Sequence, residues 1–80
     1  MASTSIIIVS YNTREILKEC LSRVKMHGDG IDAEIIVVDN ASTDGSPDLV
    51  IERFPWVRLI KNSENVGFAR ANNQAIQQSN

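Results

Sequence analysis

Three short apolar runs divide the chain, and each ends in polar residues. Ile6-Ile7-Ile8-Val9 runs into Ser10-Tyr11-Asn12, and Ile35-Ile36-Val37-Val38 runs into Asp39-Asn40-Ala41-Ser42-Thr43-Asp44-Gly45. Trp56-Val57-Arg58-Leu59-Ile60 leads to Lys61-Asn62. Unbroken β-branched runs such as the first two predict strands buried on both faces, as in a parallel sheet covered by helices. Between the runs the period becomes helical. Asn12 or Thr13 is placed to cap a first helix, with Glu15 positioned for a capping-box pair with Asn12. Ile16, Leu17, Cys20, Leu21 and Val24 predict one apolar stripe, ended by Gly28 and Gly30. Ser46-Pro47-Asp48 reads as N-cap, first helical residue and dipole-matched acid of a second helix. Leu49, Val50 and Phe54 are its core positions, and Pro55 stops it. A third helix, capped by Asn65, runs to Gln78. Its Asn and Gln side chains compete for backbone hydrogen bonds, so they call for partners of their own.

Alternation of strand and helix predicts an α/β fold: a three-layer, Rossmann-like parallel sheet of β-α-β-α-β-α type. Right-handed crossovers give the strand order 3-2-1, with the first two helices on one face and the third on the other. The first strand is left as an apolar edge. It calls for a further strand, from additional sequence or by self-association with a second copy.

Eighty residues make a thin unit for a sheet that needs cover on both faces, and residues 1–80 are expected to be one truncated domain. Eight basic and ten acidic residues leave a net charge of −2, which is no nucleic-acid footprint. A single cysteine, Cys20, excludes an internal disulfide and a cysteine-based metal site, and its place on the stripe predicts packing. Met1-Ala2-Ser3-Thr4 has no basic leader, and no stretch is long enough to span a membrane. A soluble, cytoplasmic location is expected.

Ligands of open parallel sheets sit beyond the carboxyl ends of the strands, where this sequence places Asp39. An ionised Asp39 can accept from a base N–H or a ribose hydroxyl, or it can be a loop acid that caps the amide of Ser42 or Thr43. As a loop acid it is expected to be replaceable with little loss of stability. Tyr11 can stack on a base or pack beneath the first loop. Arg70 can reach a phosphate or remain solvated. There is no G-x-G-x-x-G, no P-loop and no D-x-D; Asp32-Ala33-Glu34 comes nearest, at the amino end of the second strand. No Ser, His and Asp spacing suggests a nucleophilic triad.

Ile6 to Asn12, Glu34 to Gly45 and Asn65-Val66-Gly67-Phe68-Ala69-Arg70-Ala71-Asn72-Asn73 together resemble family 2 glycosyltransferases, most of all the rhamnosyltransferase-type branch. The resemblance covers nearly the whole chain and implies the N-terminal, nucleotide-binding half of a GT-A fold. It implies that Ser10 and Tyr11, followed by Asn12, border the nucleobase. It also implies that Asp39, followed by Asn40, reads a uracil or thymine ring, and that Arg70 holds the nucleotide end. Asn65, Gly67 and Asn73 match the segment that closes the pocket. The expected function is inverting transfer of a sugar from a UDP- or dTDP-sugar to an acceptor hydroxyl. No catalytic residue or metal ligand is assigned within this chain, because the family's D-x-D motif and catalytic base fall outside it. Mg2+ or Mn2+ is expected for the full enzyme, and this fragment is expected to be inactive alone. Further parts would bring the enzyme to the inner face of a membrane. The alternative is a non-catalytic interaction module assembling through the exposed first strand.

Overall fold

The computed structural model describes residues 4–28 and 33–78. In chain order the elements are β1 (Thr4–Ser10), α1 (Arg14–Gly28), β2 (Ala33–Asp39), α2 (Ser46–Arg53), β3 (Arg58–Lys61) and α3 (Phe68–Gln78). The strands are parallel with β2 in the centre, which is the expected order. Ile6 pairs with Ile35 and Ser10 with Asp39, while Val37 pairs with Leu59 and Asp39 with Lys61.

Strand side chains alternate between faces, so β2 divides its apolar residues between two cores. Ile35 and Val37 join Leu17 and Leu21 of α1, and Leu49, Val50 and Phe54 from the α2 segment. Ile36 and Val38 meet Ala71 and Ala75 of α3, with Ile7, Val9, Ile60 and Val66 around them. α1 and α2 therefore cover one face and α3 the other, as expected. The two buried alanines leave room for the α3 backbone to lie close against the sheet. That fit explains how a helix with few large apolar residues can be held.

Several boundaries differ from the sequence expectation. α1 rests on the sheet along its Leu17–Leu21 row, and Cys20 is half-buried at the margin. Ile16 lies about 100° around the helix from Leu17 and is 69% exposed, so it leaves the expected stripe. The Val24 side chain and Gly30 lie outside the described residues. Ser46 is the first helical residue of α2, and its cap is Gly45 at φ 84°, a left-handed conformation that glycine adopts without strain. β3 begins at Arg58, after a turn closed by the Val57 amide on the Phe54 carbonyl at 3.0 Å. Trp56 is half-exposed there, its ring edge-on to Phe54 at 5.4 Å. α3 begins three residues past Asn65, whose side-chain oxygen accepts the Gly67 amide at 2.8 Å. Gly67, at φ 86°, then turns the chain into the helix.

The α1 contact makes opposite predictions for two adjacent residues. Leu17→Ala is expected to cost about 2–5 kcal/mol through the cavity it leaves. Ile16→Ala should stay within about 0.5 kcal/mol of the parent. Urea midpoints of the two variants check this; equal losses would mean that α1 packs on another face.

Candidate functional site

The carboxyl ends of the strands carry two polar rows, separated by the alternation of the sheet. Ser10, Asp39 and Lys61 stand side by side across the three strands. Two residues before each of them, Ile8, Val37 and Leu59 pack on the α1 and α2 side, so this row continues that face. One residue later the polar groups turn toward α3. The Asn62 amide group donates to Asn40 Oδ1 at 2.9 Å and to Gln74 Oε1 at 2.9 Å, and Gln74 Nε2 donates back to Asn62 Oδ1 at 3.0 Å. Asn40 Nδ2 reaches the Gly67 carbonyl at 3.4 Å. The polar α3 thus finds partners for Gln74 in the rim itself.

Asp39 is 2% exposed, so it is not the loop acid expected from the sequence. Its Oδ1 accepts the Ser42 hydroxyl at 2.7 Å and its Oδ2 the Ser42 amide at 2.9 Å. Asp39 therefore does cap the Ser42 amide, as one of its two expected roles has it, while each carboxylate oxygen keeps acceptor capacity for a ligand. Ala41, spanned by these bonds, sits at φ 66°, which a residue with a Cβ adopts only at a cost. Ser42 Oγ in turn accepts the Asn12 amide at 2.8 Å, and Asn12 Oδ1 accepts the Thr43 amide at 2.8 Å. Asn12 therefore ties the first loop to the second and does not cap α1, and the expected capping box with Glu15 does not form. Ser10 is buried, its hydroxyl 3.2 Å from that of Thr13.

Thr13, the other expected cap, does hold the position before α1, its carbonyl accepting the Leu17 amide at 2.8 Å, and Asp44 supplies the side-chain acceptor there. Its Oδ2 accepts the Arg14 amide at 3.0 Å, at the start of α1. Its Oδ1 accepts the Ser46 amide at 3.1 Å and the Ser46 hydroxyl at 2.5 Å, at the start of α2. The Ser46 hydroxyl chiefly holds the Asp44 carboxyl below its usual range, aided by the Arg14 and Ser46 amides and partly opposed by desolvation. One carboxylate so fixes two helix starts and, with Asn12, locks both loops beside Asp39. The Asp39–Ser42 contact is a local one that the sequence offers, whereas the bonds from Asp44 to Arg14 and from Asn62 to Asn40 join positions 30 and 22 apart, which local spacing does not reveal.

A cavity of about 350 Å³ opens at this rim, lined by Asp39, Ser42, Thr43, Asp48, Lys61 and Asn62 among others. Its size lies at the small end of ligand pockets. A larger hollow of about 480 Å³ lies on the charged outer side of α1, bordered by Lys18, Glu19 and Arg23, and has none of the rim's buried polar groups. The sequence-derived residues are divided by the fold. Of them Asp39 alone lines the cavity; Asn12, Asn40 and Gly67 take part in the hydrogen bonds around it, while Ser10 is buried and Tyr11 half-exposed after the end of β1. Asn65, Arg70 and Asn73 are exposed around and on α3, outside that lining. Lys61 lines the cavity, and in the sequence only its place at the end of β3 marks it. Among the described residues no group of three or more His, Cys, Asp or Glu side chains comes together. No helix among them is long and apolar enough to cross a membrane.

Residues 5–80 match the family model described as Glycosyl transferase family 2. Over 44 residues the chain is 41% identical to an N-acetylglucosaminyl-diphospho-decaprenol L-rhamnosyltransferase of Mycobacterium tuberculosis, covering 55% of this chain and 14% of that protein. The same match occurs in a second strain of that organism. The fold superposes on a mannosyltransferase from Pyrobaculum calidifontis solved with GDP-Man and Mn2+, with a TM-score of 0.82 and 30% identity. That superposition covers 96% of this chain and 24% of the mannosyltransferase. The chain spans only a minor share of either relative's length.

The double cap predicts a pH signature. A carboxylate titrating below its unfolded value stabilises the fold above the unfolded pKa of about 3.9, and that stability is lost as the pH falls through the native pKa. Asp44→Asn should therefore lower the urea midpoint at neutral pH, with the deficit shrinking once Asp44 of the parent is protonated. A deficit of the same size in acid would show that the charge is not what holds the two helix starts.

Proposed function

The chain belongs to glycosyl transferase family 2, and on that premise we propose that residues 1–80 form the nucleotide-sugar-binding part of an inverting glycosyltransferase. The single observation that carries this reading is Asp39. It is in register with Ser10 at the end of a parallel sheet, held at both oxygens by Ser42, and lines a ligand-sized cavity. A carboxylate immobilised in this way meets a ring N–H without further ordering, which is the benefit of preorganisation. The donor in this reading is a UDP- or dTDP-sugar, whose pyrimidine imide N–H suits Asp39. Tyr11 offers its ring to the base and Arg70 its guanidinium to the diphosphate. Ser10, Asn12, Asn40, Asn65, Gly67 and Asn73 shape the surrounding wall. The GDP-Man bound by the mannosyltransferase neighbour supports a nucleotide-sugar donor.

In the whole protein an acceptor hydroxyl oxygen bonds to the anomeric carbon. The bond from that carbon to the phosphate oxygen breaks, and its electron pair leaves with the nucleoside diphosphate. A carboxylate outside these residues takes the hydroxyl proton. The divalent cation is assigned to the same remainder, so this chain alone transfers no sugar. The decaprenol-linked substrate in the rhamnosyltransferase relative's name supports a cytoplasmic enzyme working at the inner face of a membrane. A second reading, an interaction module, is favoured by β1, which pairs with β2 alone among the described strands.

Titration of the chain with UDP, followed by amide shifts, separates the readings. Movement at Tyr11, Asp39 and Arg70 is expected; a silent titration with UDP, dTDP and GDP alike, accompanied by self-association, favours the interaction module. Asp39→Asn should weaken UDP binding about tenfold or more. It should also cost about 1–2 kcal/mol of stability, because an amide cannot accept both Ser42 bonds. Sugar transfer by the isolated chain with UDP- or dTDP-sugars and Mn2+ would overturn the assignment of the chemistry to other residues.

A further inference from the structure

The rim cavity holds one cation that the nucleotide reading has not used. Lys61 is the cross-strand neighbour of Asp39, on the same face of the sheet, and both line the cavity. Adjacent strands lie about 4.8 Å apart, so the two side chains leave the sheet as close parallel neighbours. Their engagements differ. Asp39 is buried and held by Ser42, whereas Lys61 is exposed and makes no ion pair or side-chain hydrogen bond among the described residues. Asp48, across the same cavity, is not within ion-pair distance of it. The cavity therefore presents a fixed acceptor beside an uncommitted donor.

We propose that Asp39 and Lys61 together read a lactam edge, Asp39 accepting the ring N–H and Lys61 donating to the carbonyl oxygen next to it. An ionised carboxylate only accepts and an ammonium only donates, so the pair has a fixed polarity. Uracil and thymine present this C=O and N–H pair, and guanine presents it at its O6 and N1. Cytosine and adenine present the reverse: a ring nitrogen lone pair beside an amino group. Against those bases Asp39 meets a lone pair and Lys61 meets an N–H, so both protein groups lose water without gaining a partner. Lys61 is then a specificity-determining residue. With this pair the rim would admit uracil, thymine and guanine and reject cytosine and adenine. The inference rests on the nucleotide-binding reading above and adds Lys61 and the class of base to it.

The test is a titration of the chain with UDP, GDP, CDP and ADP, comparing the parent, Lys61→Met and Lys61→Arg. Lys61 is exposed at the strand end, and its replacement by an unbranched chain of similar length leaves both cores untouched. The parent should prefer UDP and GDP over CDP and ADP by about 100-fold. Lys61→Met should weaken UDP and GDP by about 10- to 100-fold, as for a lost hydrogen bond to a charged group. The same variant should leave CDP and ADP unchanged, so that the preference collapses, and Lys61→Arg should retain it. Equal weakening of all four nucleotides would place Lys61 on the diphosphate and overturn the proposal, as would no change or a parent that binds CDP as well as UDP. In those cases nucleotide binding itself stands. A parent that binds none of the four removes both readings.

Discussion

Strand β2 has no side that faces water. Ile35 and Val37 are covered by α1 and α2, and Ile36 and Val38 by α3, so the first polar side chain the strand can present in the forward direction is Asp39 at its end. Slipping β2 by one residue would exchange its two faces and drive Asp39 toward the Ala71 and Ala75 surface. Burial of four adjacent apolar residues thus determines where the carboxylate stands and which way it points. The same alternation separates the rim into a row with charges beside α2 and a row of amides beside α3. Hydrophobic packing fixes the position of the site, and the polar groups fix its local shape.

That local shape is held by a small number of acceptors. Asp39 and Asp44 between them take hydrogen bonds from Ser42, Arg14 and Ser46, while Asn12 joins the two loops through Ser42 and Thr43. The two bonds from Ser42 to Asp39 span Ala41 and hold it in a backbone conformation whose cost is of order 1–3 kcal/mol. Exposed ion pairs contribute little by comparison. Arg14 with Glu15 at 3.8 Å and Arg23 with Glu19 at 3.6 Å are both solvated.

The strands, their order and the division of helices between faces were legible in the sequence, because they follow from local period and from the handedness of crossovers. The rim was legible as a place, since Asp39 ends an apolar run. Its wiring was not. Asn12 has cap-like spacing to Glu15, yet its side chain is used by Thr43, 31 positions away. The carboxylate that serves the start of α1, Asp44, lies 30 positions from the amide it accepts. Asp39 looked like an exposed loop acid because nothing in the sequence shows how deeply Ser42 folds over it. Ile16 fits a helical stripe as well as Leu17 does, and only the seating of α1 on the sheet decides between them. Lys61 gains meaning only from the β2–β3 register.

The amide chain from Gly67 through Asn40 and Asn62 to Gln74 has a consequence for how such a unit can change. α3 docks by two alanines and a set of matched donors and acceptors, with little large apolar surface to tolerate misfit. A helix transplanted from a relative would arrive with the wrong amide orientations unless the residues at positions 40, 62 and 74 travelled with it. Recombination is therefore expected to succeed when crossover points keep these three positions in one parental block, and to give poorly seated helices when they divide it.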